Sequence, residues 1–216
     1  MPIVAMGGYA DDTLLDYVLA LAPGPRVLYV PTASFEDAAG TVEWYDRLRG
    51  RAAMRHLSFD PWPPSDLCEL VLEHDVVIVP GGNTANMLAI WRVHGFDAIL
   101  REAWERGIVL AGWSAGAICW FGAGVTDSFG PQLERMACLG FLPGSACPHY
   151  DGEELRRPRY AELLRGGLQA GIAIDDDVGV RFDGTELTEV VSSRAGATAY
   201  RVSADGEEAL QARLLA

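Results

Sequence analysis

The chain predicts an α/β fold: a doubly wound, mostly parallel sheet flanked by helices and completed by antiparallel strands towards the C-terminus. Three observations predict it. Four short runs, residues 3–6, 27–30, 76–79 and 108–111, are apolar on both alternations, as in strands covered by helices on two faces. Amphipathic segments at 36–49, 65–73, 84–93 and 96–106 lie among them, which is the alternation of βαβ units. Each apolar run ends in turn formers, namely Gly7-Gly8, Pro31-Thr32, Pro80-Gly81-Gly82 and Gly112. The turns therefore share one sheet edge, where folds of this class hold their sites.

The last third changes pattern. A helical segment at 153–168 is followed by short strand-like pieces at 179–182, 189–191 and 199–202, separated by Asp183-Gly184 and Arg194-Ala195-Gly196. These read as antiparallel strands finishing the sheet or its edge. No repeat, low-complexity tract or linker marks a boundary, so residues 1–216 are expected to form one domain.

Composition excludes several function classes. With 216 residues, half of them hydrophobic, the chain can bury one substantial core. A net charge of −13 repels phosphate backbones and anionic lipid, so neither nucleic acid nor membrane is an expected partner. No basic segment precedes an apolar run at the start, and no apolar stretch reaches spanning length, so a cytoplasmic protein is expected. Cys68, Cys119, Cys138 and Cys147 have neither zinc-site spacing nor disulfide density. Reduced thiols are expected, with no metal and no cofactor implied.

The chemistry is concentrated in "GIVLAGWSAGAICWFGAG", where an apolar run meets Gly112-Trp113-Ser114-Ala115-Gly116. A nucleophile exposed on a strand-to-helix turn needs a strained backbone and small neighbours two residues away. Gly112 and Gly116 supply the neighbours, and a helix starting at Ala115 would aim its free N–H groups and positive end at an oxyanion on Ser114. A serine nucleophile also needs a base. Of the four histidines, His56 lies in a strand-like run and His74 and His94 end helices, whereas His149 sits in the punctuated loop "GSACPHYDGEE" of the kind that delivers catalytic groups. An acid to orient that base is available at Asp175, Asp176 or Asp177 in "GIAIDDDVGV", with Asp127 and Asp151 as competitors. Gly81-Gly82-Asn83 in "VPGGNTANML" offers main-chain donors that can approach substrate closely, and Asn83 or Thr84 also suits the cap of the following helix.

Taken in order, "VPGGNTANML", "AGWSAGAICWF", "TDSFG", "LGFLPGSACPHYDGE" and "IAIDDDVGV" resemble the peptidase E (aspartyl dipeptidase) family of serine peptidases, which shares the class I glutamine amidotransferase-like architecture. The resemblance runs from Ile3 to about Tyr200. It implies Ser114 as nucleophile, His149 as base and Asp176 as the third triad member, although the family commonly has glutamate there. It further implies Gly82 and Ala115 as oxyanion donors, with Asp127, alongside Asn83, supporting the site. Such enzymes act on short peptides, typically with N-terminal aspartate, and Arg156, Arg157 and Arg159 are the candidates to bind that carboxylate. A monomer or homodimer is implied. The alternatives are a cyanophycinase-like hydrolase of aspartate-arginine polymers and a catalytically silent binder of acidic peptides. A glutamine amidotransferase is disfavoured because its elbow residue is cysteine.

Overall fold

The computed structural model describes residues 1–216. Its strands are β1 (Pro2–Met6), β2 (Arg26–Tyr29), β3 (Ala53–His56), β4 (Val76–Val79), β5 (Val109–Trp113), β6 (Phe121–Thr126) and β7 (Glu134–Ala137). They continue as β8 (Leu142–Cys147), β9 (Gly171–Ile174), β10 (Val178–Asp183), β11 (Glu186–Ser192), β12 (Ala199–Ser203), β13 (Gly206–Ala209) and β14 (Arg213–Leu214). The helices are α1 (Asp12–Leu19), α2 (Ala38–Leu48), α3 (Leu67–Leu72), α4 (Thr84–Val93), α5 (Phe96–Glu105), α6 (Ala115–Ile118) and α7 (Arg156–Arg165).

The apolar runs become the parallel centre of an eight-stranded sheet ordered β14-β11-β10-β1-β5-β4-β2-β3. Strand β1 pairs in parallel with β5 and antiparallel with β10, so the antiparallel completion begins there. Alternation divides these strands between two cores. Val4, Met6, Val27, Tyr29, Ile78 and Ala111 face α1 and α2. Ile3, Ala5, Leu28, Val77 and Leu110 face a core of 38 buried residues that also contains side chains of α3, α4, α5 and the second sheet. Such two-sided burial makes each run continuously hydrophobic.

The second sheet, six strands ordered β13-β12-β9-β8-β6-β7, corrects the expectation of a single sheet. Strands β12 and β9 belong to it, and α7 covers its outer face through a third, smaller core containing Tyr150, Tyr160 and Leu164. Its inner strands were hidden in the sequence because "FGAGVT" and "LPGSAC" carry the Gly and Pro that ordinarily mark turns. Helix α1 was also unread, although Asp11 caps it by accepting from the Leu14 N–H at 2.8 Å.

The chain changes sheets four times. It leaves the large sheet after β5, returns between β9 and β10, leaves again between β11 and β12, and returns before β14. The first crossing carries Ser114 and the second carries Asp175, Asp176 and Asp177. Trp91, Trp104, Trp113 and Trp120 are all buried, and Trp113, next to Ser114, continues the stack Tyr29–Trp44–Trp113, with centroids 5.2 Å apart at each step. Each such pair contributes about 0.5–1.5 kcal/mol beyond area burial.

Candidate active site

Ser114 follows β5 with φ 53° and ψ −112°, a conformation an L-residue holds only when its surroundings enforce it. The enforcement is visible in the flanking glycines. A Cβ on Gly112 would stand 2.4 Å from the Gly116 carbonyl oxygen, and one on Gly116 would stand 2.0 Å from that of Val79. Small residues are therefore required on both sides, as the motif predicted. The five non-glycine residues with positive φ are Phe35, Glu36, Ser114, His149 and Asp177. Two of them are the expected nucleophile and base, and a third adjoins the expected acid. Helix α6 corrects one expectation: it spans only four residues. What it offers an oxyanion is therefore the local N–H of Ala115, which has no intrahelical partner at a first-turn position, and little cumulative dipole.

Beside the elbow lies the turn after β4. A Cβ on Gly81 would sit 3.1 Å from the Ser114 Cβ, so this backbone abuts the serine. Gly82 has φ 137°, and a Cβ there would collide at 2.0 Å with the Ala33 carbonyl oxygen. Asn83 spends its own N–H on that oxygen at 2.8 Å, while the Gly82 N–H makes no hydrogen bond within the chain. Asn83 also caps α4, accepting from the Asn86 N–H at 2.9 Å and donating to the Ser128 carbonyl at 3.1 Å. Asp127 is exposed in the turn that Asn83 thus anchors.

His149, after β8, places Nδ1 2.7 Å from Asp176 Oδ1. Because a carboxylate accepts, Nδ1 is the donor, so the neutral ring has its lone pair on Nε2, the tautomer a general base requires. The three adjacent aspartates have separate fates. Asp175 is buried and accepts from the Thr198 N–H at 3.0 Å, and burial pushes its carboxyl above the ordinary range. Asp176 meets His149. Asp177 pairs with Arg194 at 2.8 Å.

Ser114 and Asp176 are brought to one strip of backbone. The Ser114 N–H donates to the Met6 carbonyl at 3.2 Å, and two residues on, a Cβ at Gly8 would lie 2.4 Å from Asp176 Oδ1. Gly152 crowds the other oxygen, at 2.0 Å from where its Cβ would be. The Ser114 hydroxyl forms no hydrogen bond to His149 in this arrangement; catalytic bonds of this type commonly tighten only in the substrate complex. Gly8 and Gly152 had no place among the residues the sequence assigns to the site. The Gly7-Gly8 pair closing β1 was the one sequence signal for the first of them.

The arginine cluster is not a free carboxylate receptor. Arg156 is buried, bonding Glu153 at 2.7 Å and the Val125 carbonyl at 3.1 Å. Arg157 lies over Tyr150 and Tyr200 and pairs with Glu207 at 2.8 Å. Arg159 bonds the Leu133 carbonyl and Glu162. Each guanidinium already has its carboxylate, so the proximity of these residues to His149 in sequence does not translate into an open binding group.

The other histidines serve structure. His74 is buried, with Nδ1 donating to the Leu70 carbonyl at 2.6 Å; His56 meets Tyr45; His94 caps α4 against Phe59. Burial pushes the Cys138 and Cys147 thiols up to about 12, so neither is a thiolate nucleophile near neutrality. No group of side chains suited to holding a metal ion occurs, and no helix is long and apolar enough to cross a membrane.

A half-buried serine on a strained elbow after a parallel strand, with a histidine–carboxylate pair at the same edge, is the arrangement expected of a serine-type hydrolase. Within that class, the model of peptidase family S51 matches residues 4–190, and the chain belongs to this family of serine-type peptidases. It is 47% identical over 210 residues to an uncharacterized peptidase, YgaJ, of Bacillus subtilis (strain 168), with 93% of this chain and 91% of the relative covered. Among solved structures it resembles a peptidase from an acI-B1 Actinobacterium, with TM-score 0.71, 17% identity and coverage of 98% and 94% of the two chains. It also resembles a putative peptidase E protein from Listeria monocytogenes EGD-e, with TM-score 0.66, 17% identity and coverage of 94% and 98%. The fold is the class I glutamine amidotransferase-like fold expected from the sequence.

Proposed function

We propose that this peptidase is an exopeptidase of short peptides, working through an acyl-enzyme on Ser114 with His149 and Asp176 as the rest of the triad. The observation that carries the reading is the His149–Asp176 bond of 2.7 Å, which in the neutral ring gives the lone pair to Nε2, at the sheet edge that presents Ser114. In the first step Nε2 takes the Oγ proton as Oγ bonds to the scissile carbonyl carbon. The carbonyl π-pair moves to oxygen, and the N–H groups of Gly82 and Ala115 donate to the resulting oxyanion, each donor being worth about 3 kcal/mol in such sites. The imidazolium then protonates the departing amine as the C–N bond breaks. Water, deprotonated by the same nitrogen, releases the acid and restores Ser114.

Dipeptides beginning with aspartate are the first substrates to assay. Their carboxylate would be read by groups other than Arg156, Arg157 and Arg159, since those are committed to partners in the chain. The test is fluorophosphonate labelling of the wild type and Ser114→Ala, together with turnover of a dipeptide panel varied at the N-terminus. Labelling confined to the wild type, with release of free amino acids, is the expected result. A folded wild type that neither labels nor cleaves any member removes the proposal.

A further inference from the structure

The acid of the proposed triad stands on no regular element. Asp176 lies on the three-residue crossing from β9 in the small sheet to β10 in the large one, beside Asp177 at φ 64°. Its main chain is nevertheless held at both ends. The Asp176 N–H donates to Asp151 Oδ1 at 2.8 Å, and its carbonyl accepts from Arg194 Nη2 at 3.0 Å. The same Nη2 pairs with Asp151 Oδ2 at 2.5 Å, closing a ring around the two peptide groups, while Arg194 Nε reaches Asp177 Oδ2 at 2.8 Å. Asp151 follows the expected base by two residues, and Arg194 lies on the next crossing, between β11 and β12.

We infer that Arg194, acting with Asp151, is a positioning residue that locks the Asp176 peptide so that its carboxylate stays aimed at His149 Nδ1. This deepens, and rests on, the triad reading above. Two considerations separate it from an ordinary surface ion pair. The Arg194, Asp151 and Asp177 side chains are 45%, 36% and 37% exposed, a setting in which such pairs add little to stability. Yet one guanidinium fork serves three acceptors on two segments of the site, a geometry a point-charge ammonium cannot reproduce. Burial opposes ionisation of Asp151, but Arg194 and the Asp176 N–H outweigh it and hold its carboxyl below the usual range. The ring is therefore charged throughout the neutral pH range.

The test uses the full chain with Arg194→Met, Arg194→Lys and Asp151→Asn. Misplacing a catalytic group by about an ångström costs roughly 100-fold in rate, so Arg194→Met should lower kcat about 10- to 100-fold with KM little changed, and lysine should restore only part. A structural role alone would not move the downfield proton resonance of His149 Nδ1–H, which should shift or broaden in all three variants while the melting temperature barely changes. In an Asp176→Asn background, Arg194→Met should cost nothing more. Retained kcat and an unmoved resonance in folded Arg194→Met, or losses that add to those of Asp176→Asn, overturn the inference. If methionine does not fold, the same readings on lysine and Asp151→Asn decide it. Because the resonance is read without turnover, a wild type lacking Ser114 chemistry would sink the proposed function and leave the ring to be judged separately.

Discussion

The two crossings that carry the site are held by different physics. At Ser114 the backbone is clamped by sheer closeness: glycines at 112 and 116 admit carbonyl oxygens to within 2.0–2.4 Å of where side chains would begin, inside a core lined by Trp113 and Trp44. At Asp176 the backbone is held by charges that are one-third to one-half exposed. The elbow is thus fixed by exclusion and the acid by directed bonds. Packing tolerates no side chain but resists solvent conditions, whereas a polar ring tolerates substitution structurally and surrenders aim.

Mutations that attack the two mechanisms should sort accordingly. Ser114→Ala removes the proposed nucleophile and should lower kcat roughly a million-fold, the scale seen when a triad serine is deleted, measured on the best dipeptide with folding checked by circular dichroism. Asp176→Asn keeps the shape but can stabilise the wrong imidazole tautomer, with an expected loss of about ten-thousand-fold in kcat and little change in denaturant midpoint. Gly116→Ala tests the elbow's clamp. A methyl group driven at the Val79 carbonyl should destabilise the chain by about 3 kcal/mol, the upper end of overpacking costs, visible in urea titration whatever the activity.

Smaller effects sharpen the contrast. His74 is kept neutral by burial, so its folded pKa lies below the unfolded value. The stability it contributes is complete above about pH 6.5 and is lost as pH falls from there towards its folded pKa. His74→Asn, which keeps a donor for the Leu70 carbonyl, should flatten the melting curve's dependence on pH below about 6.5. Arg106→Met breaks an exposed i,i+4 pair with Glu102 remote from the polar ring and should change stability by no more than about 0.5 kcal/mol with no effect on kcat. It is the control against which a loss in Arg194→Met acquires meaning.

The contrast also explains what could be read from the sequence. The parallel centre was legible because burial on both faces writes uninterrupted Val, Ile and Leu, and the elbow was legible because exclusion writes glycine at fixed distances from a serine. His149 emerged by elimination among four histidines, and the pairing with Asp176 came from family resemblance rather than spacing, since three adjacent aspartates look alike until the β9–β10 crossing turns each one differently. The second sheet stayed hidden because its inner strands use Gly122, Gly124, Pro143 and Gly144, residues that signal turns in isolation. Arg194 gave no signal at all, for it is an arginine in a turn whose partners lie 17 and 43 residues away. The pairing of Arg156, Arg157 and Arg159 was illegible for the converse reason: nearness along the chain revealed nothing of the carboxylates at Glu153, Glu207 and Glu162.

Because Ser114 sits where the chain departs from one sheet and Asp176 where it comes back, the gap between them is a measure of how the sheets are stacked. Phe121 and Phe182, one from each sheet, meet edge to face with centroids 5.6 Å apart. Trimming either ring to alanine is therefore expected to change turnover without removing any residue of the proposed site, an effect that dipeptide kinetics on folded Phe182→Ala would show, and the thickness of the filling between two sheets would then be a control on activity.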